Sequence, residues 1–253
     1  MHINALYRYP IKGLSPQPLE FAQLVTGGYF PGDRLFALEN GPSGFSAAAP
    51  VHQPKIKFLM LMRNAALAAL KTRYDDASGI LTIAWQGKEV ARGDLRDGAG
   101  RAAIETFITE FCRDDLRGAV RLLEAPKGFG FTDSRSGFVS LVNLASVRAI
   151  EAAIGRTVDP LRFRANIYVD GLEPWKEFEL TGKILRVGDA GLEVLKLIDR
   201  CAATGVEPGS GRRDMDVIQV LRDGFGHIDC GVYARVFQGG MLRVGDVAAI
   251  GTK

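Results

Sequence analysis

Short runs of alternating or β-branched apolar residues, each stopped by glycine, proline, asparagine or aspartate, recur along this chain. Such punctuation excludes a bundle of long helices and points to a barrel or sandwich of short strands. In the first half, residues 3–8, 34–38, 66–72, 79–84 and 88–91 read as strands. In the second half, residues 138–142, 165–169, 183–187, 192–197, 231–237 and 241–244 do so. Helices interrupt them. Ile104, Phe107, Ile108 and Phe111 recur at helical spacing, and Cys112 closes that helix as a packed thiol. Asn143 is placed to cap a helix that runs to about Ile154, with Gly155 as its stop. A further helix spans about 215–222. Residues 124–137, rich in glycine, serine and charge, read as a linker, which divides the chain into 1–125 and 126–253. The pentapeptide Leu-Arg-Val-Gly-Asp occurs at 185–189 and again at 242–246. Each copy reads as a strand end followed by a turn.

Charge and cysteine content narrow the function. Lysine and arginine number 32 against 29 acids, so the net charge of +3 gives no basic face for nucleic acid. Residues 1–10 lack the apolar core of a signal peptide, and no run of about 18 apolar residues offers a membrane span. The expectation is a cytoplasmic protein with neither membrane nor nucleic acid as partner. Cys112, Cys201 and Cys230 are odd in number and far apart, which suits reduced thiols. His2, His52 and His227 never pair at metal-ligand spacing, and no C-x-x-C occurs. The glycine-rich stretch 205–212 lacks the Gly-Lys-Ser/Thr ending of a P-loop. No nicotinamide fingerprint follows a strand.

What remains is Cys201, at the end of an apolar strand, flanked by Asp199 and Arg200 and followed by a Gly/Pro/Ser loop. A thiol beside a cation is placed to ionise, and a thiolate is a soft metal ligand. A lone cysteine is more often a buried, inert one. A second set is dispersed: Lys12 in Tyr-Pro-Ile-Lys-Gly, Arg34 in Gly-Asp-Arg, and Arg164 and Asn166, two apart on an expected strand and so on one face. Lysine and arginine grip phosphate, although charges of this kind are commonly solvated surface groups.

These segments resemble the MOSC domain, the C-terminal domain of molybdenum cofactor sulfurases, which the mitochondrial amidoxime-reducing component shares. The resemblance lies in Phe-Arg-Ala-Asn at 163–166, Arg-Cys-Ala-Ala-Thr-Gly-Val-Glu-Pro at 200–208, and Gly-Val-Tyr-Ala at 231–234 through Arg-Val-Gly-Asp at 243–246. The segments at 9–13 and 32–34 resemble the N-terminal β-barrel that accompanies it. The resemblance implies a β-rich α+β fold: a MOSC-type β-barrel, an N-terminal β-barrel-like subdomain and a few short helices. It implies Cys201 as the thiolate on molybdenum and as the catalytic position. Lys12, Gly13, Arg34, Arg164 and Asn166 would hold the molybdopterin, Asp199 and Arg200 would flank it, and Tyr233 would line the pocket. Asn143, Leu144 and Ala145 would present a helix start to an anion. No pyridoxal phosphate is expected. The implied activity is reduction of small N-hydroxylated substrates. Three separated cysteines cannot hold an iron–sulfur cluster, so electrons would come from a separate ferredoxin, flavoprotein or haem protein. The rival expectation is a carrier of sulfur or cofactor that uses a Cys201 persulfide without turnover. Glu207, in the cysteine loop, reads as a surface acid.

Overall fold

The computed structural model describes residues 1–135 and 138–251. Its first half forms β1 (His2–Arg8), β2 (Gln17–Leu19), β3 (Phe21–Leu24), β4 (Phe36–Asn40), β5 (Lys71–Asp75), β6 (Ile80–Trp85), β7 (Lys88–Asp94), α1 (Gly98–Phe111) and β8 (Val120–Glu124). Its second half adds β9 (Val139–Asn143), α2 (Leu144–Ile154), β10 (Ile167–Asp170), β11 (Ile184–Val187), β12 (Ala190–Asp199), α3 (Val217–Phe225), β13 (Asp229–Gln238), β14 (Gly240–Arg243) and β15 (Ala248–Gly251). The fold is α+β and β-rich.

Eight strands form one sheet in the order β15-β11-β12-β13-β9-β10-β1-β2. Every neighbour is antiparallel except β9 and β10, which run parallel and are joined through α2, the crossover such a pair requires. β1 pairs with β10, and β3 pairs with β14. The first strands therefore cross the expected division at 125 and complete the sheet of the second half.

Among the described residues, three larger cores follow from this layout, beside a small cluster of Ala37, Phe58 and Phe131. Ile3, Leu6, Val139, Leu141, Val194 and Val232 bury one face of the large sheet. On its other face α2 and α3 place Val147, Ile150, Val217 and Leu221 around Phe163 and Cys230. In the N-terminal half, Ile104 and Ile108 of α1 pack on Leu81, Ile83 and Leu38. Each such side chain contributes about 1.5–3 kcal/mol on burial. Gly93 and Gly100 let α1 lie directly on β7, since a Cβ at Gly100 would stand 2.1 Å from the Asp94 carbonyl oxygen.

Local chemistry explains where expectation and structure agree. Asn143 caps α2 by accepting from the Ala145 N–H, and Gly155 ends it in the left-handed region. Asp216 caps α3 and Gly226 stops it, which shifts that helix from 215–222 to Val217–Phe225. The first Leu-Arg-Val-Gly-Asp closes the β11–β12 hairpin through Gly188 and Asp189, and the second ends β14 at a turn with Gly245 at φ 92°.

Four expectations are corrected. Residues 66–72 are not one strand: Ala65–Ala69 is a 3-10 turn anchored by buried Leu67, and the strand begins at Lys71. This alanine-rich stretch has no β-branched side chains to favour a pleat. Arg34 is not in a strand, because its φ of 50° places it in a turn before β4. Arg164, at φ 52°, ends the 3-10 turn Pro160–Phe163, so Arg164 and Asn166 do not share a strand face, and β10 starts only at Ile167. The linker 124–137 begins inside β8, and its Phe129 and Phe131 pack against Phe45. Residues 136 and 137 of that segment lie outside the described residues. Among the described residues, no helix is long and apolar enough to cross a membrane.

Candidate functional site

The loop after β12 and the turns before β4 and before β10 meet over one cavity of about 160 Å³. Cys201, Arg34, Arg164, Asn166, Asp199, Arg200 and Tyr233 line it. A small recess continues it and adds Lys12 and Gly13 to Cys201, Arg34 and Arg164. Nine of the twelve expected positions, scattered from 12 to 233, are thus brought together.

The two turns that carry Arg34 and Arg164 are built around Tyr9. The Tyr9 N–H donates to Asp33 Oδ1 at 2.7 Å, and the Arg34 N–H donates to the Tyr9 carbonyl at 2.8 Å. Both guanidinium groups stack on the Tyr9 ring, 4.4 Å (Arg34) and 4.3 Å (Arg164) from its centroid. Burial pushes the Tyr9 hydroxyl up to about 12. Two non-glycine residues in the left-handed region within one site is backbone strain of the kind found at functional sites.

The cations differ in how they are neutralised. Arg34 donates to both Asp33 oxygens, at 2.5 and 2.6 Å. Burial works against its charge, but Asp33, helped by Tyr9 and Asp133, more than offsets this and its pKa rises. Lys12 is buried, donates to the Phe131 carbonyl at 3.0 Å and pairs with Asp133. Burial lowers its pKa in spite of Asp133. Asp133 itself, although burial opposes its charge, is held well below the usual carboxylate range by Lys12, Lys55 and Arg34. Arg162 forms a two-pronged bond to Asp214, both arms 2.8 Å. Arg200 is spent on the backbone: its Nε donates to the Cys230 carbonyl at 2.7 Å and its Nη1 to the Phe163 carbonyl at 3.0 Å. Arg164 stands apart. Its guanidinium has no carboxylate partner among the described residues, and burial followed by repulsion from Arg34 brings its pKa down to about 10.

Cys201 is half-buried and starts the 3-10 turn Ala202–Gly205, where its carbonyl accepts from the Thr204 N–H at 3.0 Å. The other two thiols are buried elsewhere. Burial pushes Cys112 up to about 11 and Cys230 up to about 12, so both stay protonated. The cysteine loop rests on the N-terminal half: Gly209 N–H donates to the Ala68 carbonyl at 2.8 Å, and Arg213 donates to the Leu61 and Met62 carbonyls.

Three expected residues are elsewhere. Asn143, Leu144 and Ala145 do not line the cavity. The start of α2 is already filled by Glu177, whose carboxylate accepts from Asn143 Nδ2 at 3.1 Å and Ser146 Oγ at 2.8 Å. Asn166 borders the cavity, but its amide stitches strands together. It accepts from the Ser140 N–H at 3.1 Å and donates to the Tyr7 carbonyl at 3.2 Å. Glu207 is engaged on the surface by Arg212 at 2.8 Å. Sequence reading missed Lys55, Asp133 and Arg162. Lys55 opens the short 3-10 turn Lys55–Lys57 and Asp133 lies in a loop, neither with a periodicity to read, and only the fold brings them to the cavity. Asp33 and Tyr9 were inside the quoted segments but carried no signal of their own.

Two family profiles match this chain. One, described as the MOSC domain, covers residues 131–249, and one, described as the MOSC N-terminal beta barrel domain, covers residues 1–120. The chain is similar to a molybdenum cofactor sulfurase of Caenorhabditis elegans, 36% identical over 146 residues, which covers 51% of this chain and 20% of that protein. It is similar to the molybdenum cofactor sulfurase of Drosophila mojavensis, 34% identical over 122 residues, covering 44% of this chain and 15% of that protein. The chain thus spans a fifth or less of these relatives' length. Among solved structures it is similar to the YUAD protein from Bacillus subtilis (14% identity, TM-score 0.46, 97% of this chain and 92% of that one). It is also similar to YiiM from Geobacillus stearothermophilus (18% identity, TM-score 0.40, 52% and 67%).

Proposed function

This chain belongs to the MOSC family, its N-terminal β-barrel domain included, and from that premise we propose that it holds the molybdenum cofactor in the cavity at Cys201 and reduces N-hydroxylated compounds. The observation that carries this reading is the sharing of one cavity by a half-buried thiol and a guanidinium, Arg164, that has no acidic partner among the described residues. Its neighbours Arg34, Lys12 and Arg162 are each already matched by an aspartate.

The residues suit such a group. Among the described residues, no three His, Cys, Asp or Glu side chains converge as a cage for a bare ion. A metal here would bring its own sulfur ligands and take Cys201 as the protein donor. Arg164 and Lys55 would grip the phosphate, with Arg34 and Lys12 behind them. Tyr233 and Asn166 would form the wall. The cofactor, when bound, supplies two-electron chemistry at the metal. Reduction breaks the substrate N–O bond, takes up two electrons and two protons, and releases water. The electrons come from a separate ferredoxin, flavoprotein or haem protein.

The test is to express the chain with molybdopterin available and compare bound molybdenum in wild type and Cys201→Ser. Loss of metal in the variant, with turnover of an N-hydroxypurine by a viologen donor and none by NADH alone, is the expected result. Full metal in Cys201→Ser, or sustained turnover by the lone chain with NADH, defeats the proposal. The relatives' name favours one second reading, a carrier that takes sulfur on Cys201 as a persulfide. Sulfane sulfur on purified protein without molybdenum distinguishes it.

A further inference from the structure

Beside the cysteine cavity lies a larger cleft of about 400 Å³, within the size range of small-molecule sites. Leu14, Leu61, Leu70, Leu161, Val206 and Pro208 give its wall a large apolar part. The polar groups of Ser15 and Thr72 in that wall are already engaged with each other and with the backbone. The Ser15 N–H donates to Thr72 Oγ1 at 3.2 Å, the Thr72 N–H donates to Ser15 Oγ at 3.0 Å, and Ser15 Oγ donates to the Leu70 carbonyl at 2.7 Å. A ligand body lying there meets hydrocarbon and finds few hydrogen-bond partners, so the wall favours an apolar body and penalises a polar one.

The cleft adjoins the cysteine cavity. Arg164 and Ala203 line the cleft, the cavity and the recess alike, so they stand at the junction. Arg162, the other cation shared by cleft and cavity, is matched by Asp214, which leaves Arg164 at the junction to face an incoming head group. The geometry points to one occupant: an amphipathic N-hydroxylated molecule, of the hydroxamic-acid type, whose apolar tail lies in the cleft and whose oxygen-bearing head passes Arg164 toward Cys201. The choice of head group rests on the proposed function; the apolar tail rests on the cleft alone.

The experiment is calorimetric titration of the full chain, free of molybdenum, with straight-chain hydroxamic acids from acetohydroxamic to octanohydroxamic acid. Affinity should rise roughly fourfold per methylene until the cleft is filled. Ala68→Phe narrows the cleft without removing a side-chain hydrogen bond. It should flatten the series to within about twofold, while molybdenum content, measured separately on protein made with cofactor, stays at the wild-type level. Leu161→Ala, which removes part of the wall, should weaken octanohydroxamic acid several-fold and leave acetohydroxamic acid unchanged. Affinity independent of chain length, no binding of octanohydroxamic acid, or unchanged binding in both variants overturns the inference. A steep series in a chain that never takes up molybdenum upholds the cleft and defeats the cofactor reading. A flat series in a chain that loads molybdenum does the reverse.

Discussion

The Arg34 guanidinium donates to the backbone carbonyl of Arg164 at 3.2 Å, so one cation fixes the backbone that carries the other, 130 residues away. The arrangement holds two like charges side by side and neutralises only one of them. An anion in the cavity would relieve the second.

Pyrophosphate should therefore stabilise the wild type at low salt, by up to about 2.7 kcal/mol at a hundredfold excess over its Kd. The effect should shrink as salt screens the site. Arg164→Gln should lose most of this gain, yet in the absence of anion stay within about 1 kcal/mol of wild type or exceed it. Thermal melts with and without pyrophosphate read both numbers.

Arg200 should behave in the opposite way. Its guanidinium satisfies the Cys230 and Phe163 carbonyls inside the fold. Arg200→Met should cost about 2–4 kcal/mol in denaturant unfolding, since it strands two buried acceptors. No anion should restore it.

The three thiols should separate by reactivity. Cys112 and Cys230 are buried and held protonated by desolvation, whereas Cys201 is half-exposed. Iodoacetamide on the native protein near pH 8 should modify Cys201 first, by at least about tenfold, as judged by peptide mass spectrometry. Equal labelling of Cys230 would contradict the structure.

Glu177 sets a pH dependence. Its side chain is fully buried, and desolvation raises its pKa despite the bonds from Asn143 and Ser146. A carboxyl with a raised folded pKa binds its proton more tightly in the native state. The stability it contributes is fully present below the unfolded value near 4.5 and falls as pH rises through the folded value. Glu177→Gln should remove that slope, worth about 1.4 kcal/mol for every tenfold by which the folded carboxylate outbinds the unfolded one for its proton. Unfolding curves collected across the mildly acidic range measure it.

Sequence reading succeeded where the deciding interaction is local. Asn143 and Gly155 bracket α2 through contacts made within that helix, and the Gly188-Asp189 turn closes its own hairpin. It failed where backbone strain is imposed from a distance. Arg164 looked like a strand residue two positions from Asn166, but the fold bends it into the left-handed region over Tyr9. Cys201 was singled out because its loop resembles a family motif. The absence of an acidic partner for Arg164 was not visible, because it depends on which aspartates reach which cations. Asp33 and Asp214 go to Arg34 and Arg162, and Asp133 goes to Lys12.

The pairing of β1 with β10 also imposes a wait on synthesis. Residues 2–8 leave the ribosome long before residues 167–170 exist, so the first strand, which can pair on one side with β2 as soon as residues 17–19 emerge, has its other edge open for roughly ten to thirty seconds at ordinary elongation rates. An open edge invites pairing with the wrong chain. His2 and Asn4, on its exposed face, and Arg8 at its end keep this one polar enough to remain solvated until its partner arrives.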